Sequence, residues 1–188
     1  RVGLHGLAPL PGRGAEGHVD RLPQGDFDGA GEGAAREVGG DFYDFIHRAD
    51  GQWGIVIGDV TDKGVPAAFF MALARTTLRA SLTGGGSPLA GLEQANRLIS
   101  ADSSSGMFVT LFYAGLDPGS SVLTCIGAGH TPPLHLRASE HDVVMLNKGG
   151  LPLGIQEEGR FTEARVEMRK GETLLLYTDG LVDGIDRR

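Results

Sequence analysis

A chain of 188 residues, 40% hydrophobic and with a formal net charge of −7, fits one domain that buries roughly 70% of its extended surface. The acidic balance argues against a nucleic-acid surface, which needs a basic stripe. No apolar run approaches the roughly 20 residues of a membrane span, residues 1–20 lack the apolar block of a secretory signal, and the single cysteine, Cys125, leaves no internal disulfide. A cytoplasmic domain without membrane contact is expected.

Residues 1–35 are rich in Gly, Asp and Glu with almost no periodicity, and read as loops around a weak strand. From Glu37 the texture changes. "EVGGDFYDFI" and "QWGIVIGDV" are short β-like runs joined over Asp50-Gly51, a hairpin signal. In the second run Trp53, Ile55 and Ile57 share one face and Val56 takes the other, which predicts a strand buried on both sides. Pro66 stands where a first helical turn tolerates a missing N–H, and "AAFFMALARTTLRASL" continues without a breaker. Met71, Leu78 and Leu82 mark its core stripe, the Phe69–Phe70–Met71 cluster reads as helix core, and Arg75 and Arg79 stand on the other side. "GGGS" ends that helix, and Pro88 opens another in which Leu92, Ala95 and Ile99 share a stripe. "MFVTLFYAGL", "SVLTCIGAG", "PLHLR", "DVVMLN", "FTEARVEM" and "ETLLLYT" then read as strands, with "DPGSS" turning between the first two. Paired strands, two helices and a long meander predict an α+β fold, a sheet pair covered by helices.

Three acids stand out along this frame: Asp41 after Gly-Gly, Asp59 at the end of a buried strand, and Asp179 in "LLLYTDGLVD". Aspartates at strand ends, brought together by pairing, make a nest of hard oxygen ligands that suits Mg²⁺ or Mn²⁺ better than zinc. Taken singly, each Asp beside a Gly reads first as a turn cap. Together they point to a divalent metal, because several unneutralised carboxylates side by side are costly without a cation.

"VGGDFYDF", "VIGDVTDKGVPAAFFMALART", "MFVTLFYAGLD", "GAGHTPPLHLR", "LPLGI" and "LLLYTDGLVDG" occur in that order between residues 36 and 184. This arrangement resembles the SpoIIE/RsbU branch of the PPM (type-2C-like) metal-dependent protein serine/threonine phosphatases. The resemblance implies two stacked antiparallel sheets flanked by helices, an αββα sandwich, with two Mn²⁺ or Mg²⁺ ions at one end. It implies hydrolysis of phosphoserine or phosphothreonine on an antagonist-type protein that governs a sigma factor. By the same resemblance Asp59 bridges both metals, the Val60 carbonyl serves one, Asp41 serves the second and Asp179 the first. These residues form the expected catalytic and metal-binding set, with water or hydroxide between the ions attacking phosphorus in line. Glycines beside the acids let backbone and water approach, and a side chain at Gly40 or Gly58 is expected to crowd the ions.

The family carries a further acid some tens of residues past the TDG block, so a single domain over 1–188, incomplete at its C-terminus, is expected, with a possible upstream sensor domain. Two alternatives stand beside catalysis on a phosphoprotein: a degenerate phosphatase that binds a phosphoprotein without turnover, and a hydrolase of small phosphate esters. Other polar positions read more simply. Lys63 is expected to be a solvated loop lysine, Arg36 a strand-edge arginine, and Asp44, Asp62 and Asp183 turn carboxylates, with Asp183 the candidate for a weaker third metal. His130 in "AGHTPP" reads as part of a structural turn, and Cys125 as core.

Overall fold

The computed structural model describes residues 40–103, 106–137, 142–146 and 149–179. Its frame begins with a hairpin of β1 (Asp41–His47) and β2 (Trp53–Val60), paired antiparallel from Asp41 opposite Asp59 to His47 opposite Trp53. The turn closes where the sequence places it. The Arg48 N–H donates to the Gln52 carbonyl at 3.0 Å, and Gly51 takes φ 80°, a conformation that favours glycine. Strands β3 (Val109–Asp117) and β4 (Val122–Ala128) extend the sheet antiparallel. Asp117 holds their turn, accepting from the Gly119 N–H and the Ser120 hydroxyl. The far edge of β4 pairs with β8 (Glu163–Glu167) and, over two residues in parallel, with β7 (Gly149–Gly150). β7 carries no side chains to announce it, and it is absent from the strand pattern of the sequence. A second, three-stranded sheet has the order β6 (Asp142–Met145), β5 (Leu134–Arg137), β9 (Thr173–Leu175), all antiparallel. The predicted α+β fold with two sheets is therefore present.

Two helices cover one face of the larger sheet. α1 (Val65–Leu82) starts with Pro66 in its first turn and buries Ala67, Phe70, Ala74, Leu78 and Leu82, a stripe spaced three or four residues apart. α2 (Pro88–Asp102) is capped by Ser87, whose hydroxyl accepts from the Ala90 N–H, and buries Leu92, Ala95 and Ile99. These residues form one core with Val56, Val60, Leu111, Tyr113 and Ile126 of the sheet. Each large apolar side chain there contributes about 1.5–3 kcal/mol relative to exposure. Phe69 departs from the expected helix core. It is 73% exposed, because it lies off the stripe that carries Phe70 at 5%.

The other face of the larger sheet meets the smaller sheet. Ile55, Phe112, Ala114, Leu123, Cys125 and Leu174 make this second core, with Ile57 and Val166 packed against it. β2 thus feeds both cores, Val56 into one and Ile55 into the other, as its two apolar faces predict. Burial pushes the Cys125 thiol up to about 12, which suits a core residue and not a nucleophile. The layers among the described residues are helices, larger sheet and smaller sheet. Leu136, Val143 and Met145 lie exposed on the smaller sheet, and no described helix covers them.

Candidate metal centre

The pairing register assembles the site. Asp41 on β1 stands opposite Asp59 on β2, and Asp59 stands opposite Thr110 on β3, so three polar side chains form a row on one face of the sheet. Ile55 and Ile57 share that face of β2 and point between the sheets. The row therefore lies at one open end of the inter-sheet space. The segment after β9 arrives at the same end, where the Thr178 hydroxyl donates to Asp41 Oδ2 at 3.0 Å. Asp179 follows, and with Asp59, Thr110, Gly129, His130 and Thr131 it lines a cavity of about 100 Å³. Asp41, Asp59 and Asp179, separated by up to 138 positions in the chain, thus meet at one end of the sandwich.

Their charges conflict. The Asp59 carboxyl is pushed up to about 7, first by burial and then by the neighbouring Asp41 and Asp179 carboxylates. Such a cluster is stable as three anions only beside a cation. Every side-chain donor of the trio is a carboxylate oxygen, the chemistry a hard divalent ion takes. Among the described residues no group of three or more acidic, His or Cys side chains stands close enough together to form a closed ligand shell.

Glycine gives the site its space. A Cβ on Gly40 would collide with the Val60 carbonyl oxygen and sit 2.8 Å from Asp59 Oδ1. These are the two oxygens that the resemblance assigns as ligands, so a side chain at Gly40 would crowd those oxygens. At Gly58 the reason differs. A Cβ there would lie 2.8 Å from the Thr110 carbonyl oxygen and 2.9 Å from the Phe42 ring, so Gly58 serves the packing of neighbouring strands and not an ion.

His130 does more than shape a turn. Its Nε2 lies 3.2 Å from the Tyr177 carbonyl and its Nδ1 3.1 Å from the Thr110 hydroxyl. A ring nitrogen facing a carbonyl must carry the proton, so Nε2–H donates to Tyr177. Burial lowers the His130 pKa, which favours the neutral ring and leaves Nδ1 as an acceptor, so the Thr110 hydroxyl proton is shared between Nδ1 and the Asp59 carbonyl 3.3 Å away. The imidazole therefore ties the approach to Asp179 to the strand beside Asp59. Thr61 is a second unforeseen brace. Its N–H donates to the Phe108 carbonyl and its hydroxyl accepts from the Phe108 N–H, both at 3.0 Å, fixing the chain just past Asp59.

The remaining candidates separate. Asp44 is not a turn carboxylate: it is 5% exposed on the helix side of β1. It takes a bidentate guanidinium from Arg79, with Nε at 2.8 Å, and a further contact from Arg75 at 3.3 Å. Asp62 and Lys63 are exposed on the loop before α1. Arg36 and Asp183 lie outside the described residues.

A family model for stage II sporulation protein E (SpoIIE) matches residues 49–188. The chain belongs to the SpoIIE family. Phosphoserine phosphatase RsbU of Bacillus subtilis is 28% identical over 149 residues, covering 79% of this chain and 44% of RsbU. Among solved structures, the RsbU and RsbW domains of a Mycobacterium tuberculosis protein align with a TM-score of 0.70 at 32% identity, over 82% of this chain and 42% of that one. The PP2C phosphatase domain of SpoIIE from Bacillus subtilis aligns at 0.67 and 19% identity, over 79% and 45% of the two chains. This SpoIIE-family chain has the fold of PP2C-type phosphatase domains and spans less than half the length of RsbU.

Proposed function

We propose that this chain is a metal-dependent protein phosphatase domain that hydrolyses phosphoserine or phosphothreonine. The observation that carries the reading is the convergence of Asp41, Asp59 and Asp179, with Asp59 pushed up to about 7 by burial and by the other two. Family membership supports the reaction class, and the name of RsbU supports phosphoserine as the substrate group. Asp59, at the centre of the row, is assigned to hold two Mn²⁺ or Mg²⁺ ions together. Asp41, Asp179 and the Val60 carbonyl would hold the ions with it. Bound divalent ions would supply Lewis acidity, lowering the pKa of a water and offsetting charge on the phosphoryl oxygens. His130 and Thr178 orient this chain's ligands, since each bonds a ligand or the residues next to one.

The physiological substrate in this proposal is a phosphorylated antagonist-type protein of a sigma-factor circuit, met in the cytoplasm. A further acid beyond residue 188 and an upstream sensor domain belong to the same proposal. A second reading, a phosphoprotein-binding module without turnover, is favoured by the absence of a closed ligand group among the described residues. Phosphate release from a phosphoserine-bearing antagonist protein, with and without Mn²⁺, separates the two. Catalysis predicts release that requires Mn²⁺ and is lost in Asp59→Asn. Tight binding of the phosphoprotein with no release at any Mn²⁺ concentration would establish the binding module instead.

A further inference from the structure

β7 runs parallel to the end of β4, with Gly149 opposite Gly127 and Gly150 opposite Ala128. One further step places Leu151 beside Gly129, which lines the cavity of the acid row. Pro152 closes that contact, since a Cβ on Gly129 would collide with the Pro152 ring. Leu153 then bridges Val109, which stands opposite Val60, with backbone bonds at 2.8 and 2.9 Å. Two strand spacings, roughly 10 Å, separate Leu153 from Val60. Beyond Leu153 the chain passes the end of the sheet, where Gly154 packs on Met107 and Phe108, and then returns as β8.

Two large apolar side chains stand exposed on this loop, Leu151 at 51% and Ile155 at 46%. The loop is firmly held. Asn96 of α2, buried at 1%, spends its whole side chain on it. Its Oδ1 accepts from the Gly154 N–H at 3.0 Å, and its Nδ2 donates to the Gln156 and Glu157 carbonyls at 2.7 and 2.9 Å. Two residues of chain add at most about 7 Å, so Ile155 lies within roughly 17 Å of Val60. A standard protein–protein footprint, roughly 800 Å² per partner, reaches about 16 Å from its centre. Centred on the metal cavity, it takes in Leu151 and extends to Ile155.

We propose that Leu151 and Ile155 form the docking surface for the protein that carries the phosphoserine, and take an apolar side chain next to it. This rests on the phosphatase reading of the metal centre. A phosphoserine that reaches the cavity brings its own chain across the lip, and the lip beside Gly129 is Leu151. Because the loop is already fixed, burying its apolar residues adds affinity without the entropic cost of ordering them. Glu157 and Glu158 are exposed further along the same loop. Charge complementarity therefore places lysine or arginine, and not an acid, beyond the apolar residue of the substrate.

Two peptides carrying a phosphonate, a non-hydrolysable mimic of phosphoserine, test this by fluorescence anisotropy with Mn²⁺ present. One has leucines on both sides of the phosphonate and lysines beyond them; the other has serines in place of the leucines. The 188-residue chain should bind the leucine peptide about tenfold more tightly. The double variant Leu151→Ser/Ile155→Ser should lose that preference and bind both as the wild type binds the serine peptide. Its melting temperature should be unchanged, because both side chains are half exposed. Equal wild-type affinity for the two peptides, or a preference that survives the substitutions, would overturn the surface. So would self-association of the wild type, seen in sedimentation and abolished by the substitutions, which would give the surface to a second copy. The phosphoserine forms of the same peptides test the reaction separately. Release of phosphate from neither at saturating Mn²⁺ would overturn the phosphatase reading, and the anisotropy comparison would still decide the surface.

Discussion

The metal-free protein should lose stability as pH rises, opposite to the usual carboxylate behaviour. Asp59 titrates near 7 in the folded chain against an ordinary value of 3.8. Between those values the folded state holds a proton that the unfolded state has released, so each rise in pH favours unfolding. The contribution is present at acid pH, erodes through pH 4 to 7, and is gone at pH 8. Complete transfer of the shift into stability would amount to on the order of 4 kcal/mol. Asp59 is only partly buried, so solvent screening reduces this to on the order of 2 kcal/mol. For a chain of this size that is roughly 4–8 °C in Tm. His130 titrates in the same window with the opposite sign, because its pKa is lowered and its neutral ring favours folding as pH rises. The comparison is therefore with Asp59→Asn. Thermal melts in EDTA at pH 5.5 and 8 should show the wild type losing stability relative to Asp59→Asn. Saturating Mn²⁺ should remove the difference by favouring the ionised carboxylate. A wild type that gains stability relative to Asp59→Asn between these pH values would refute the crowding of the three carboxylates.

Gly40→Ala places a methyl against the Val60 carbonyl and Asp59 Oδ1. It should cost about 1–3 kcal/mol in denaturant melts and weaken Mn²⁺ binding; Gly58→Ala should cost stability with less effect on metal. Arg79→Ala removes the bidentate partner of buried Asp44 and should destabilise by about 1–2 kcal/mol, limited by the half exposure of the arginine. Arg75→Ala, which loses one longer contact, should cost less in the same chemical denaturation series. His130→Ala unties Tyr177 from Thr110 and should lower Mn²⁺ affinity by about 10- to 100-fold, read by calorimetry.

Much of the frame was legible because it is written locally. Alternation in Ile55–Val56–Ile57, the Asp50-Gly51 turn, and Pro66 and Pro88 at helix starts each depend on a few neighbouring residues. Phe69 misled because three consecutive apolar residues cannot all face one side of a helix, and only the completed packing shows which is left out. The acids at 41, 59 and 179 were visible as a pattern of strand ends; the meeting of 41 and 59 follows from register, and that of 179 from the bonds that Thr178 and Tyr177 make beside it. Long-range polar contacts left no such trace. Asp44 and Arg79 are 35 residues apart, and nothing near either indicates the other. Buried Arg48 likewise donates to the Leu82 carbonyl at 2.7 Å, satisfying an orphan group at the end of α1 that only the fold brings near. His130 was noticed for its flanking Gly and Pro, yet its role depends on Thr110 and on Tyr177, 47 residues away.

The account rests on three carboxylates acting as one divalent-metal centre, and calorimetric titration of the chelator-stripped protein with Mn²⁺ addresses that directly. The wild type should show saturable binding at neutral pH, accompanied by proton release as Asp59 ionises. Asp59→Asn should weaken that binding by more than about tenfold, because the substitution removes a charge at the centre of the row. Asp41→Asn and Asp179→Asn should each weaken it as well. Mn²⁺ affinity equal to wild type in Asp59→Asn, or no saturable binding in the wild type, would contradict the assignment.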